Sequence, residues 1–262
     1  MRTLFAAVAL LAAVSAPLRA QEWARMALEK SPRHGEWVTV QSGGRALSAF
    51  VVYPETKKKA PVVVVVHEIF GLTDWARAMA DELAAAGYVA VAPDLLSGAG
   101  PNGGKSADFP SVDAAREAVG KLDPAAVARD LDAAADYAKA LPASDGRVSA
   151  AGFCWGGGQA FRFAAHRPDL RAAFVFYGPP PPDVSPIKAP VYGFYAENDA
   201  RIGATLPDTE KAMTAAGKTF EPVVYAGAGH GFMRGGEDPE GRPGDKKARA
   251  KAWKRLKALL SK

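Results

Sequence analysis

Five consecutive valines occupy positions 62–66, directly after Pro61. β-branched side chains disfavour a helix, and a strand wet on one face would alternate polar with apolar residues. An unbroken run of this length therefore reads as a strand buried on both faces, as in a parallel sheet covered by helices on each side. The flanking sequence supplies the matching alternation. Residues 35–53 read as a β-hairpin turning at Gly43-Gly44, with Val38, Val40, Leu47, Phe50 and Val52 as its apolar members. A helix over 74–86 ends at Gly87, and a second short apolar strand covers 88–92. Asp123-Pro124 has the form of an N-cap with proline at the first helical position, opening a helix to about residue 141. Strands over 147–151, 172–177, 191–195 and 220–225 follow, with helices ending near His166, over 206–216 and at the C-terminus. Residues 97–110, rich in Gly and Pro, read as a loop at a rim or lid. No internal repeat or break in composition divides the chain. The expectation is one α/β domain over 21–262 with a mainly parallel central sheet and helices on both faces.

Residues 1–20 are set apart from that domain. Met1-Arg2 gives a basic start, positions 4–14 are apolar, and small residues precede Gln21. This is the pattern of a secretory signal peptide, and eleven apolar residues are too few for a membrane span, which needs about 20. A periplasmic or secreted protein without a stable membrane anchor is expected. Its removal takes away Arg2 and Arg19 and no acid, leaving 31 basic against 28 acidic residues. So mild a balance does not suggest nucleic acid binding. Eight basic residues fall within 246–262, where Ala248, Trp253, Leu256, Leu259 and Leu260 recur at helical spacing. That segment reads as an amphipathic helix with a solvated basic face. The chain is expected to act as a monomer on a small-molecule substrate.

The lone cysteine, Cys154, cannot form an intrachain disulfide. It lies in Gly152-Phe153-Cys154-Trp155-Gly156-Gly157-Gly158, between a strand and a helix, which is the nucleophile-elbow pattern with cysteine in place of serine. Glycines two before and two after the nucleophile permit the tight turn, and the helix N-terminus favours negative charge on the sulfur. A buried structural cysteine is the ordinary alternative, but it would not call for those glycines. The segment lacks the Lys-Ser/Thr ending of a P-loop and the spacing of a dinucleotide site, so no cofactor is expected.

A thiol nucleophile needs a base, and the base an orienting acid. Of the four histidines, His34, His67, His166 and His230, only His230 lies in a glycine-lined loop after a late strand. His166 reads as a helix C-terminal residue facing the dipole. Asp199 is the candidate acid, with Glu197 and Asp208 as rivals, and the order Cys154, Asp199, His230 is that of an α/β-hydrolase. In that fold the loop after the first buried strand gives one oxyanion donor and the residue after the nucleophile the other, here the N–H groups of Ile69 and Trp155. His67-Glu68 invites a zinc reading, but position 71 is glycine, so H-E-x-x-H is absent and no metal is expected.

With HEIFGL at 67–72, APDLL at 92–96, GFCWGG around Cys154, Asp199, and GHGF at 229–232, the chain resembles the dienelactone hydrolase family over about 35–260. The resemblance implies an α/β-hydrolase fold and an ester or lactone hydrolase with a Cys-His-Asp triad. It further implies that Glu68 contacts the resting thiol and moves when substrate binds. Members acting on dienelactone hold its carboxylate with two arginines. Arg234 matches one, while Leu96-Ser97-Gly98-Ala99 carries no arginine where the other would stand. The alternatives are a peptidase-like or acyl-transferring hydrolase on the same scaffold, and a non-catalytic secreted binding protein.

Overall fold

The computed structural model describes residues 21–262, so the expected signal peptide lies outside the described residues. The hairpin forms β1 (Gly35–Ser42) and β2 (Arg45–Val52), paired antiparallel across Gly43-Gly44. The valine run forms β3 (Ala60–Val66), followed by α2 (Asp74–Ala85) and β4 (Val89–Pro93), α1 being the preceding helix Glu22–Glu29. Further along come α3 (Val112–Gly120), α4 (Pro124–Ala140), β5 (Ser144–Phe153), α5 (Trp155–His166), β6 (Ala173–Phe176) and β7 (Val191–Asn198). The one-turn helix α6 (Ala200–Gly203), then α7 (Leu206–Ala215), β8 (Phe220–Gly229), the one-turn α8 (Phe232–Gly235) and α9 (Pro243–Leu260) complete the chain. The eight strands join one sheet in the order β1-β2-β4-β3-β5-β6-β7-β8. β2 meets β1 and β4 antiparallel, and every later pairing is parallel.

The valines behave as their run predicts. Val63 and Val65 join Trp75, Met79 and Phe153 in the core on one face of the sheet, while Val62, Val64 and Val66 join Leu131, Ala135 and Phe163 on the other. Period-two alternation thus sends one apolar run into two cores. The helices that cover them start on side-chain caps: Asp123, as expected, accepts from the N–H groups of Ala125 and Ala126, and Thr73 accepts from the Ala76 N–H.

Two features depart from the sequence reading. Helices α1 and α3 lie outside the elements that the sequence predicts, and α9 is less of a wet basic helix than its spacing suggests. Ala248, Leu256, Leu259 and Leu260 are buried as expected, Ala252 is buried with them and Trp253 is only half-buried against the same core, but two of its arginines are used inside the fold. Arg249 reaches Glu82 and, at 3.0 Å, Glu237. Arg255 donates to the carbonyls of Gly193 and Glu221 at 2.8 and 2.7 Å, pinning the helix to the last two strands. Among the described residues, no helix is long and apolar enough to cross a membrane.

Candidate active site

β3, β5, β6, β7 and β8 all run parallel, so their C-terminal ends open onto one edge of the sheet, the edge where open α/β sheets bind ligands. Cys154 sits there between β5 and α5 with φ +57° and ψ −117°. Its N–H donates to the Phe176 carbonyl at 3.0 Å, and its own carbonyl accepts from Gly158 N–H. The turn leaves no room for side chains beside it. A Cβ on Gly152 would lie 1.9 Å from the Gly156 carbonyl oxygen, and one on Gly156 would lie 2.3 Å from the carbonyl oxygens of Val66 and His67. The glycine pattern is therefore a requirement of close approach between the elbow and the end of β3.

His230 stands just past β8, ahead of Gly231 in a left-handed conformation. Its Nε2 is 3.0 Å from Cys154 Sγ, and its Nδ1 is 2.5 Å from Asp199 Oδ2. Asp199 follows β7, is buried, and also accepts from the Ile202 N–H. The rivals are engaged elsewhere: Glu197 accepts from the Gly227 N–H, and Asp208 lies in the first turn of α7. Burial opposes a charge on His230, but its bonds to Cys154 and Asp199 outweigh that and raise it to about 9. His166 ends α5 and pairs with Asp132 at 2.6 Å.

Glu68 differs from expectation. Rather than touching the thiol, its carboxylate accepts from Arg234 Nε at 2.7 Å. Burial pushes Glu68 above the usual carboxylate range, opposed by Arg234 and, more weakly, His230. A buried carboxylate is costly unless paired, and α8 brings the guanidinium within reach. Arg234 also lies 5.3 Å over the Phe70 ring. Both line a cleft of about 560 Å³ that runs past Leu72 and Phe109 to Glu22 and Arg25 of α1. Ile69 and Trp155 pack together on Leu96, Ala115 and Val119, and among the described residues neither of their backbone N–H groups has a protein acceptor. Asp94, after β4, accepts from Ser106 Oγ and N–H and from the Leu96 N–H, tying down the loop where the second arginine is missing.

With this geometry in place, the comparison with known proteins is decisive: the model of the dienelactone hydrolase family matches residues 47–262. The chain belongs to that family. Among dienelactone hydrolase relatives, a Salmonella typhi protein named as a carboxymethylenebutenolidase is 35% identical over 234 residues, covering 83% of each chain. A Saccharolobus solfataricus protein of the same name is 32% identical over 258 residues, covering 84% of this chain and 95% of its own. A solved dienelactone hydrolase from Klebsiella pneumoniae superposes with a TM-score of 0.77 at 30% identity, covering 88% of this chain and 99% of that one. An acylaminoacyl peptidase from Pyrococcus horikoshii, 15% identical with a TM-score of 0.65, shares the fold over 87% of this chain and 41% of that one. As a dienelactone hydrolase family member, the protein is a hydrolase of the carboxylic ester class acting on a small-molecule substrate.

Sequence reasoning passed over Tyr177. It follows β6 with φ +41°, is fully buried, and meets the His230 ring edge-on at 5.1 Å. Burial holds its phenol well above the usual range. Its place at the C-terminal end of a parallel strand was the available signal. Helix α1, which closes the far end of the cleft, precedes the family match altogether.

Proposed function

We propose that this protein is an exported ester or lactone hydrolase that works through an acyl-enzyme on Cys154. The support is the continuous contact from Asp199 Oδ2 through both His230 nitrogens to Cys154 Sγ, in the chain order of an α/β-hydrolase. Asp199 orients His230 with Nδ1–H toward the carboxylate, so Nε2 exchanges a proton with sulfur. The thiolate attacks the carbonyl carbon, and the N–H groups of Ile69 and Trp155 receive the oxyanion. As the C–O bond breaks, His230 Nε2 gives its proton to the leaving oxygen. Water then attacks the thioester, His230 takes the water's proton, and the carbon–sulfur bond breaks to release the acid and restore the pair.

Arg234, held by Glu68, lines the cleft with Phe70, Leu72 and Phe109; in this reading the cleft takes the apolar body of the substrate and Arg234 meets its polar end. Without the second arginine, a carboxylate on the substrate is held by one charge-assisted contact rather than two, each worth about 1.5 to 3 kcal/mol. The preferred substrates are therefore small esters or lactones for which a carboxylate is an aid rather than a requirement. Replacing Cys154 with Ala should abolish hydrolysis of small aryl esters, and undiminished turnover would overturn the assignment. A panel of lactones and esters with and without a carboxylate should show at most a modest preference for the anion, and that preference should vanish in Arg234→Met. Export is tested by the mature N-terminus, which should be Gln21.

A further inference from the structure

In the HEIFGL segment, His67 has surroundings unusual for a packing residue. It leaves the end of β3 fully buried, with Nδ1 2.7 Å from the backbone oxygen of Glu68. A carbonyl oxygen only accepts, so Nδ1 carries the hydrogen and donates it. Burial pushes the ring below its usual range, with Asp94 opposing more weakly, so the imidazole is neutral. Nε2 is then a bare lone pair, and it has no partner among the described residues. For filling space at the end of a five-valine strand, an apolar side chain would serve better. The one polar contact the ring makes is to the Glu68–Ile69 peptide.

That peptide is the one whose other end matters. Its C=O accepts from His67 and, at 3.3 Å, from the Gly71 N–H. Its N–H belongs to Ile69. Because the peptide unit is planar, C=O and N–H swing together, so anchoring the oxygen fixes where the N–H points. Accepting a hydrogen bond at the oxygen also polarises the N–H as a donor. The same imidazole lies flat against the Trp155 indole, with ring centroids 5.6 Å apart and planes inclined by 18°. Trp155 supplies the second N–H. One ring therefore touches both halves of the putting-together of β3 and the elbow, and Gly156 lets the Val66 and His67 carbonyls approach the start of α5 closely enough for it to do so.

We propose that His67 is a positioning residue for the oxyanion hole: its Nδ1–H locks the Glu68–Ile69 peptide so that the Ile69 N–H converges with that of Trp155. This rests on the reading of Ile69 and Trp155 as the oxyanion donors and of Cys154 as the nucleophile.

The test separates carbonyl chemistry from thiol reactivity. His67→Phe keeps a ring against Trp155 and removes the donor, and His67→Asn places an amide N–H near the position of Nδ1. For each mature variant, kcat and KM are measured with a p-nitrophenyl ester, and the alkylation rate of Cys154 with iodoacetamide. Alkylation is attack at a saturated carbon and forms no oxyanion. In His67→Phe, kcat should fall about 10- to 100-fold while KM and the alkylation rate stay within about twofold. His67→Asn should recover most of the lost kcat with the same alkylation rate. The proposal is overturned if His67→Phe keeps the wild-type kcat, if alkylation slows in step with kcat, or if His67→Asn is as impaired as His67→Phe. His67→Leu, which also lacks the donor, is read the same way if the Phe variant does not fold. Cys154→Ala distinguishes the two levels. Turnover retained in Cys154→Ala removes the underlying reading, whereas an inactive Cys154→Ala beside a fully active His67→Phe removes only the role of His67.

Discussion

At Cys154 the backbone is held at φ +57°, a conformation that costs a non-glycine residue about 1 to 3 kcal/mol. The hydrogen bonds from its N–H to Phe176 and to its carbonyl from Gly158 hold it there, and the strained turn presents Sγ to His230. The charge state of that histidine sets the pH dependence. His230 is raised to about 9, so the Nε2 proton needed by the leaving oxygen is present below that pH and lost above it. The alkaline limb of kcat/KM should fall near pH 9. Asp199 is one of the groups that raise His230, so Asp199→Asn should move that limb to lower pH and reduce kcat/KM on the order of 10²- to 10⁴-fold; an unmoved limb would contradict the assignment. By the same sign, the stability drawn from His230 is complete below its ordinary value of 6.5 and disappears as pH rises through about 9. Glu68 and Arg234 form a second coupled pair. Arg234→Met leaves a buried carboxylate without its cation and should cost about 2 kcal/mol in urea unfolding. Burial already pushes Glu68 above the usual carboxylate range, so the loss should grow as pH rises and the unpaired carboxylate ionises, and Glu68→Gln in the same chain should restore most of it.

Among the elements, the elbow and the end of β3 are one unit. Gly156→Ala would drive a methyl into the Val66 and His67 carbonyls, and the backbones must separate to admit it. A loss of more than about 2 kcal/mol in unfolding free energy is expected, accompanied by loss of turnover. These parts were legible in the sequence because short-range patterns specify them: a run of valines, glycines at fixed offsets, a histidine in a glycine-lined loop. What the sequence left hidden depends on contacts between distant segments. α1 sets Trp23, Ala24 and Leu28 against the core and pairs Arg25 with Glu22 and Glu29 on its outer side, but at eight residues it spans too few turns for periodicity alone to announce a helix. It is held by packing on α2 and by Gln21 Oε1, which accepts from the Trp75 N–H. The Glu68–Arg234 pair joins residues 166 positions apart, so no local spacing announces it, and Tyr177 is marked only by where β6 stops. Because α1 closes the cleft, Glu22→Ala with Arg25→Ala should lower KM for longer acyl chains relative to acetate esters. An unchanged chain-length profile would show that the cleft wall does not select substrate.

At the scale of the whole molecule, the sheet sends two cores to opposite faces and leaves its C-terminal edge for chemistry. The excess positive charge is partly structural, since Arg249 is paired with the half-buried Glu82 and Glu237 and Arg255 with backbone carbonyls of the last two strands. What remains is spread over a wet helix face, and hydrolysis of a neutral ester should change little between about 0.05 and 0.5 M salt, a range over which the Debye length shortens roughly threefold. A strong salt dependence would point to a charged partner surface instead. The central claim is that the lone thiol carries the acyl group. It is tested most directly by quenching turnover of a slow ester with acid and finding the acyl mass by mass spectrometry. The account predicts a hydroxylamine-sensitive adduct on the peptide containing Cys154, absent from the Cys154→Ala protein, which does not turn over. Rapid hydrolysis by Cys154→Ala, or an adduct on any other residue, would contradict it.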